Sequence, residues 1–257
     1  MTGSAIKSMI SLPEQNNRPS GHGWIILDKP VGISSAKAVA QVRRAFGGIK
    51  TGHAGTLDPL ASGVLPIALG EATKTISYVM TAQKSYEFGV LWGAETQTDD
   101  AEGKITRTSD IRPSEADIQA ALISFRGIIQ QVPPDYSAVK IAGKRAYAFA
   151  READRKKTEV GASLSLCPRP IQIESFELLS CDPISARFHV ICGKGTYIRS
   201  LARDLGRTLG TAAYVTALRR LSVGEFNVSD AIPLDLLEKV GQNDNAYSYI
   251  TSIMTVL

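Results

Sequence analysis

The chain is poor in the residues that build disulfide frameworks and metal centres. Its 257 residues contain three cysteines and three histidines. The cysteine number is odd and no C-x-x-C pair occurs, which argues against a disulfide framework and against a zinc site. The histidines are scattered, and the glycines form neither a G-x-G-x-x-G pattern nor a P-loop lysine pattern. We therefore expect no metal and no cofactor.

Long apolar runs are also lacking. The run Val64–Leu69 is too short to span a membrane. Residues 1–22 are polar and show no signal-peptide pattern, so they are predicted to form a flexible N-terminal tail. We expect a cytoplasmic protein with no membrane partner.

What is present is an ordinary globular composition with a mild basic excess. Hydrophobic residues make up 44% and charged residues 21% of the chain, and the net charge is +4. Each basic cluster taken alone is most simply a solvated face. Together, beside candidate active-site segments, they favour a surface that follows phosphates. The clusters are Lys37, Arg43, Arg44 and Lys50; Lys140, Lys144 and Arg145; Arg151, Arg155, Lys156 and Lys157; and Arg199, Arg203 and Arg207.

Hydrophobic periodicity predicts strands and helices in irregular order, which favours an α+β fold over a doubly wound parallel sheet. Residues 153–168 show no pattern and are predicted to be a loop or insertion. The predicted strands cover residues 24–27, 64–69, 86–92, 171–179, 186–192 and 214–223. The predicted helices run from Ser34 or Ser35 to Phe46, over 71–80, from Ser114 to Phe125, over 198–209, and from Pro233 to Val240.

The most informative segment is Gly52–Leu65, with the sequence GHAGTLDPLASGVL. Its single carboxylate, Asp58, lies in a glycine-rich loop and is followed by Pro59. Such a loop can present one acid to a ligand while rigid elements hold it in place. Taken alone, an Asp-Pro pair more often caps a turn, and the pattern does not decide between these interpretations.

The segment resembles the catalytic motif of the TruB family of tRNA pseudouridine synthases, G-H-x-G-x-L-D-P-x-A-x-G-x-L, and matches it at every fixed position. In that family the Asp is the essential catalytic carboxylate, which assigns the role to Asp58. Further segments resemble family motifs in family order: Asp28–Gly32, Lys84–Tyr86, Thr96–Gly103, Gln131–Gly143, Gly195–Gly206 and Leu218–Arg220.

The resemblance implies the pseudouridine synthase fold, a mixed, mainly antiparallel sheet with flanking helices. It places the catalytic domain at residues 23–230, after the tail 1–22. Bacterial members usually carry a small C-terminal PUA domain that grips the tRNA acceptor end. Residues 231–257 are too few for it, so we expect a C-terminal helical end there, with the PUA domain absent or truncated.

The activity implied is the isomerisation of uridine to pseudouridine at position 55 in the T loop of tRNA, by base flipping. Asp58 starts the cleavage by attack on the uracil ring, attack on C1′ or removal of a sugar proton, and the sequence leaves these open. The partner implied is the tRNA T stem-loop, and we expect a monomer with no obligate protein partner.

The resemblance also implies roles for the residues that bind RNA. Arg199 pairs with Asp58, and Tyr86 stacks on the flipped base and serves in removing the C5 proton. Tyr197 and Leu218 pack around the base and sugar. His53 lies at the pocket mouth, and Lys29 supports the pocket or a nearby phosphate. These residues are His53, Tyr86, Tyr197, Arg199, Leu218 and Lys29.

Two other functions stay open at this stage. A non-catalytic tRNA-binding or folding protein on the same scaffold would use the same basic clusters and aromatics. A glycoside or nucleoside hydrolase would use Asp58 with a second carboxylate, for which Asp99 and Asp100 are candidates.

Overall fold

The structure, a computed structural model, describes residues 21–141, 143–156, 166–240 and 244–253. The strands are β1 (Gly23–Lys29), β2 (Thr51–His53), β3 (Ala61–Leu69), β4 (Lys84–Trp92), β5 (Ala94–Thr96), β6 (Ile105–Thr108), β7 (Gly127–Gln131), β8 (Lys140–Ile141), β9 (Lys144–Arg145), β10 (Arg169–Cys181), β11 (Ser185–Cys192), β12 (Ala213–Val223), β13 (Phe226–Asn227) and β14 (Ile232–Pro233). The α-helices are α1 (Ser35–Ala45), α2 (Ile76–Thr81), α3 (Glu115–Leu122), α4 (Ala146–Lys156), α5 (Ile198–Thr208) and α6 (Leu234–Val240).

One sheet organises the described residues. Its main path runs β14-β1-β3-β12-β4-β11-β10-β7, with β2 beside β3 and β13 beside β12. The pairs β1–β14 and β3–β12 are parallel, and the other pairs of this sheet are antiparallel. The predicted α+β class with a mixed, mainly antiparallel sheet is therefore confirmed.

Burial along the strands shows which parts of the sheet are covered on both faces. Nearly every residue of β1 and β3 is buried, because α1 and α6 pack on one side and a smaller cluster around Trp24 and Phe226 packs on the other. Strand β4 alternates, with Tyr86, Phe88 and Val90 buried in the main core. Period-two alternation is what one covered face requires.

The helix ends follow their sequence signals. Ser34 caps α1, its Oγ accepting from the Lys37 N–H at 3.2 Å, and Ser114 forms a capping box with Asp117 at the start of α3. The apolar stripe of α5 is buried from Ile198 to Leu205, which places this helix against the sheet. These caps and this stripe confirm the three helices predicted at α1, α3 and α5.

Three predictions need correction. The segment predicted as one helix over 71–80 is a 3-10 helix, Gly70–Thr75, followed by α2, because the Thr73 hydroxyl donates three residues back to the Gly70 carbonyl. Pro233 lies one residue before α6, since Ile232 is still paired with Leu27 on β1. Residues 153–156, predicted as loop, end α4, a helix that the periodicity did not predict.

Several predictions fall outside the described residues. They concern residues 1–20 of the tail, residues 157–165 of the loop, and the basic side chains between Lys140 and Lys157. At the other end of the chain, Thr251 exchanges two 2.8 Å backbone hydrogen bonds with Trp24, so the last described residues join the sheet at β1. Among the described helices, none is long and apolar enough to cross a membrane.

Candidate active site

The loop that carries Asp58 is held by α1 and by the chain before it. The buried Ser35 hydroxyl accepts from the Leu57 N–H at 2.8 Å and donates to the Leu57 carbonyl at 2.9 Å. The Gly32 N–H donates to the Pro59 carbonyl at 2.8 Å. These bonds fix the backbone on both sides of Asp58, so its carboxylate is presented from a rigid support.

Asp58 is paired with Arg199, as the resemblance implied. The Arg199 Nε lies 2.9 Å from Asp58 Oδ2, and the Asp58 side chain remains 37% exposed. Arg199 itself is buried, and its two Nη atoms donate to the carbonyls of Thr98 at 2.7 Å and Tyr136 at 3.0 Å. The guanidinium is thus fixed on three sides, and the carboxylate keeps an open side.

A second carboxylate, Asp100, lies behind the same guanidinium. Its Oδ2 is 3.6 Å from the Arg199 Nε, and its Oδ1 accepts from the Thr98 hydroxyl at 2.5 Å and the Glu102 N–H at 3.0 Å. Asp100 is only 3% exposed. One oxygen is bonded within the turn that bears it and the other lies near Arg199, which favours a supporting role over direct contact with a ligand.

Asp58 opens into a cavity of about 920 Å³. The predicted residues Tyr86, Tyr197, Arg199 and Leu218 line the same cavity. They come from β4, the start of α5 and β12, which the sheet order and the packing of α5 on β12 bring together. The structure therefore gathers five of the seven predicted site residues around one space.

Both tyrosines are held by their surroundings. Burial raises the pKa of Tyr86, whose side chain faces the main core and the cavity wall. Burial also raises the pKa of Tyr197, whose backbone is fixed by Gln131: the Tyr197 N–H donates to Oε1 at 2.9 Å and its carbonyl accepts from Nε2 at 3.1 Å. Gln131 belongs to the motif segment Gln131–Gly143, and its two hydrogen bonds fix the backbone of Tyr197 at the start of α5.

The other two predicted residues, His53 and Lys29, lie outside the cavity lining. His53 is half-buried on β2, and burial, aided by the charge of Arg220, lowers its pKa. Lys29 is fully buried, and its Nζ donates to the carbonyls of Pro30 and Ile33, each at 2.8 Å. Burial lowers the pKa of Lys29 to about 8. This geometry favours the supporting role for Lys29 over contact with a phosphate.

Two cavity residues were missed by the sequence reasoning, although both lie inside quoted motifs. Lys84 is 7% exposed, and its Nζ donates to the carbonyls of Met80 at 2.6 Å and Ala82 at 2.5 Å, at the end of α2. Arg220 is 1% exposed and donates to the carbonyls of Val64 and Gly55. A charged residue two positions from a buried apolar residue of the same strand, as at Lys84 and Arg220, is the signal that was available.

The basic clusters divide into two kinds. Lys37, Arg43, Arg44 and Lys50 are exposed, as a surface that follows phosphates requires. The cluster on α5 is instead committed to carboxylates: besides Arg199, Arg203 contacts Asp99 at 2.9 Å and Arg207 contacts Glu95 at 2.7 Å. That cluster is not an open phosphate surface. Among the described residues, no group of three or more His, Cys, Asp or Glu side chains is arranged to hold a metal ion.

Comparison with known proteins decides the family. The profile of the TruB family pseudouridylate synthase N-terminal domain matches residues 43–198. The chain belongs to the TruB family. A second profile, the tRNA pseudouridylate synthase B C-terminal domain, matches residues 199–255. The fold implied by the resemblance, that of the pseudouridine synthases, is confirmed by the structural comparisons below.

Curated relatives cover most of this TruB family chain. It is 52% identical over 225 residues to the tRNA pseudouridine synthase B of Bradyrhizobium diazoefficiens, a match that spans 87% of this chain and 63% of that protein. It is also 52% identical over 218 residues to the protein of the same name from Rhodopseudomonas palustris, spanning 84% and 57%. The chain therefore spans about three fifths of the length of these relatives.

Solved structures share the fold of this family member. A Cbf5–Nop10–Gar1 complex contains a chain that is 29% identical, with a TM-score of 0.69, over 92% of this chain and 61% of that one. An H/ACA RNP bound to a substrate RNA containing 2′-deoxyuridine gives a TM-score of 0.66 at 26% identity, over 91% and 60%.

Proposed function

We propose that this chain isomerises uridine to pseudouridine in tRNA, at position 55 of the T loop, with Asp58 as the catalytic carboxylate. The observation that carries the proposal is the partly exposed Asp58 carboxylate, fixed on a cavity wall by the buried Arg199 at 2.9 Å. The named activity of the curated relatives, tRNA pseudouridine synthase B, supports the reaction and the substrate.

The reaction is an isomerisation, so nothing enters or leaves. The N1–C1′ bond breaks, the uracil turns, and C5 bonds to C1′, while one proton leaves C5 and N1 gains one. A carboxylate held by a guanidinium keeps one orientation, which serves any of the three starting steps: attack on the ring, attack on C1′, or removal of a sugar proton. The target base must first leave its stack and enter the cavity.

The other predicted residues take their roles around that base. Tyr86 stacks on the flipped uracil and accepts the C5 proton, and Tyr197 and Leu218 pack against the base and sugar. His53, on β2 before the Asp58 loop, contacts RNA outside the cavity lining. The exposed cluster Lys37, Arg43, Arg44 and Lys50 contacts phosphates of the T stem-loop.

The positions of Asp99 and Asp100 do not support the hydrolase alternative. It needs a second carboxylate across the scissile bond. Asp100 is buried on the same guanidinium as Asp58, and Asp99 is paired with Arg203. A protein that only binds tRNA does not need a carboxylate exposed in the cavity, because the carboxylate would repel the RNA phosphates.

The test is incubation of the chain with unmodified tRNA transcript, followed by carbodiimide treatment and primer extension to locate pseudouridine. We expect one stop, one nucleotide to the 3′ side of position 55, and no free uracil. The matched controls are a transcript with cytidine at that position and the Asp58→Asn variant, both of which should give no stop. Release of uracil would establish a hydrolase, and tRNA binding without any modification would establish a binding protein.

A further inference from the structure

Arg220 is a buried cation at the centre of the sheet. It lies on β12 opposite Gly63 of β3 and Tyr86 of β4, so the three residues form one row across three strands. Its Nε donates to the Val64 carbonyl at 2.7 Å, and one Nη donates to the Gly55 carbonyl at 3.1 Å. These bonds fix the plane of the guanidinium and tie it to the loop that leads to Asp58.

The charge of Arg220 is not matched by a carboxylate. Among the described residues, Arg199, Arg203, Arg207 and Arg219 each have a carboxylate within 3.0 Å, whereas none lies within ion-pair distance of Arg220. An unpaired buried cation is costly. A cation fixed at a cavity wall stabilises negative charge that develops beside it. The carbonyls of Val64 and Gly55 offset part of this cost but carry no charge.

The neighbouring titratable side chain in this row is Tyr86. Both side chains line the cavity, and they are direct cross-strand neighbours. Burial raises the pKa of Tyr86, and Arg220 opposes that rise through its charge and through hydrogen bonding to the hydroxyl. The groups that face Tyr86 from other elements, Cys192 on β11 and Asp58 in its loop, both raise its pKa. Arg220 therefore favours the phenolate against the other surroundings.

We propose that Arg220 is a positioning residue for Tyr86, which holds the phenol oxygen at the cavity and stabilises it as a phenolate. The proposal rests on the function proposed above. In that reaction the C5–H bond breaks after C5 has joined C1′, its electron pair restores the C5–C6 double bond, and the proton passes to the Tyr86 oxygen. The Tyr86 phenol first gives its proton to solvent, the phenolate becomes a phenol again by taking the C5 proton, and N1 gains one proton from solvent, so the balance of atoms and charge closes.

The first test measures the titration of Tyr86 in the free protein. Carbon-13 labelling of the tyrosine ζ position gives one signal per tyrosine, and Tyr86→Phe assigns the one of interest. We expect Arg220→Gln to raise the pKa of Tyr86 by about one unit or more. Arg219→Gln is the matched control, since Arg219 pairs with Asp28 and is absent from the cavity lining; it should leave the signal unmoved. An unchanged Tyr86 titration in Arg220→Gln overturns the proposal.

The second test is a double-mutant cycle on the single-turnover rate with tRNA. Arg220→Gln should lower that rate about 100-fold while tRNA affinity stays within about threefold, and Arg220→Lys should restore part of the rate. In the Tyr86→Phe background the same Arg220 change should cost less than about threefold. Equal losses in both backgrounds would show a merely structural role and overturn the proposal.

A third measurement keeps Arg220 in place, in case its variants do not fold. Nitrogen-15 spectra of the arginine side chains should show the Arg220 Nη signals shifting in Tyr86→Phe, while the Nε signal, bonded to Val64, stays in place. Unmoved Nη signals overturn the proposal. The two spectroscopic tests need no activity, so a wild-type chain that fails to modify tRNA would reject the proposed function and leave the Arg220–Tyr86 coupling to be decided separately.

Discussion

Arg199 and Arg203 lie one turn apart on α5, and each contacts a carboxylate at 2.9 Å, Asp58 and Asp99 respectively. The two ion pairs differ in what the carboxylate meets on its other side. The Asp58 side chain is 37% exposed and faces a cavity, whereas the Asp99 side chain is 11% exposed and lies outside the cavity lining. The same pairing therefore leaves one carboxylate open to the cavity and encloses the other within the fold.

The supports of the two arginines follow the same division. Arg199 is fixed by carbonyls of the Thr98 turn and of Tyr136, segments that also line the cavity. Arg203 is shared between Asp99, Asp204 and the Val132 carbonyl, which together join α5 to two turns. We expect changes at the first pair to appear in turnover and changes at the second to appear in stability.

The sharpest way to break this comparison is Asp58→Asn. Asn keeps the shape but cannot act as nucleophile or base, so turnover should fall by about 10⁴-fold or more, with tRNA binding retained. Tritium release from C5-labelled uridine in tRNA measures the rate, and filter binding measures the affinity. Turnover near the wild-type rate would remove Asp58 from the chemistry.

Arg199→Gln should come next in size. It leaves Asp58 in place without the charge that holds it, so we expect a loss of about 10³-fold in the single-turnover rate. Arg199→Lys keeps the charge without the forked donors and should recover only part of the rate. If Arg199→Gln changed the melting temperature and not the rate per folded molecule, both ion pairs would contribute to stability alone.

Arg203→Gln is the converse change. Removing one partner of a buried pair leaves the other charge unpaired, so the free energy of unfolding should fall by about 3 kcal/mol. The rate per folded molecule should stay within about threefold, because Asp99 and Arg203 lie outside the cavity lining. Urea unfolding and active-site titration separate the two effects, and a rate loss comparable to that of Arg199→Gln would contradict the division.

A smaller effect is expected at Ser35, which supports the loop that carries Asp58 from α1. Ser35→Ala leaves the Leu57 N–H and carbonyl unpaired in a buried place and should cost about 2 kcal/mol of unfolding free energy. Because that loop aims Asp58, turnover should also fall, by about tenfold. Ser34→Ala, which removes the exposed cap next to it, is the control that should affect stability alone.

The smallest effect, on the pH dependence of stability, is expected at Lys84. Its ammonium group is bound by backbone carbonyls and forms neither of the two ion pairs compared above. Burial lowers its pKa to about 8 from an ordinary value of 10.5. Between these values the unfolded chain binds the extra proton, so this group makes stability rise with pH across that window. The stability of the wild type relative to Lys84→Met should therefore increase from about pH 7.5 to about pH 9.5 in urea unfolding. A difference that stayed constant or decreased would show that Lys84 is not desolvated.

Much of the fold was predictable because its signals are local. The alternation in β4, the Ser34 and Ser114 caps and the apolar stripe of α5 each depend on neighbours within a few residues. The short strands β2 and β5 were missed since three residues are too few for a pattern to stand out. The prediction of one helix over 71–80 was wrong in its first half, where the hydroxyls of Thr73 and Thr75 each donate to a carbonyl three residues back and favour the 3-10 turn.

The site was predictable only through resemblance to a family. Nothing local joins Asp58 to Arg199 or separates Arg199 from Arg203, because pairing across the fold decides which arginine meets which acid. Arg220 was passed over for the same reason: its place beside Tyr86 depends on the register of β12 against β4. Charged residues at otherwise buried strand positions are the pattern that would have flagged it.

The parallel pairing of β3 with β12 has a consequence for biosynthesis. Strand β12 lies between β3 and β4 in the sheet, although β3 and β4 are near neighbours in the chain. The close approach of β12 to β3 requires glycine at position 63, because a Cβ there would lie 2.1 Å from the Arg220 backbone oxygen. As the chain leaves the ribosome, the two halves of the sheet must wait for residues 213–223 to be inserted between them. Nascent chains that stop short of this strand should lack a joined sheet and expose apolar edges to chaperones and proteases.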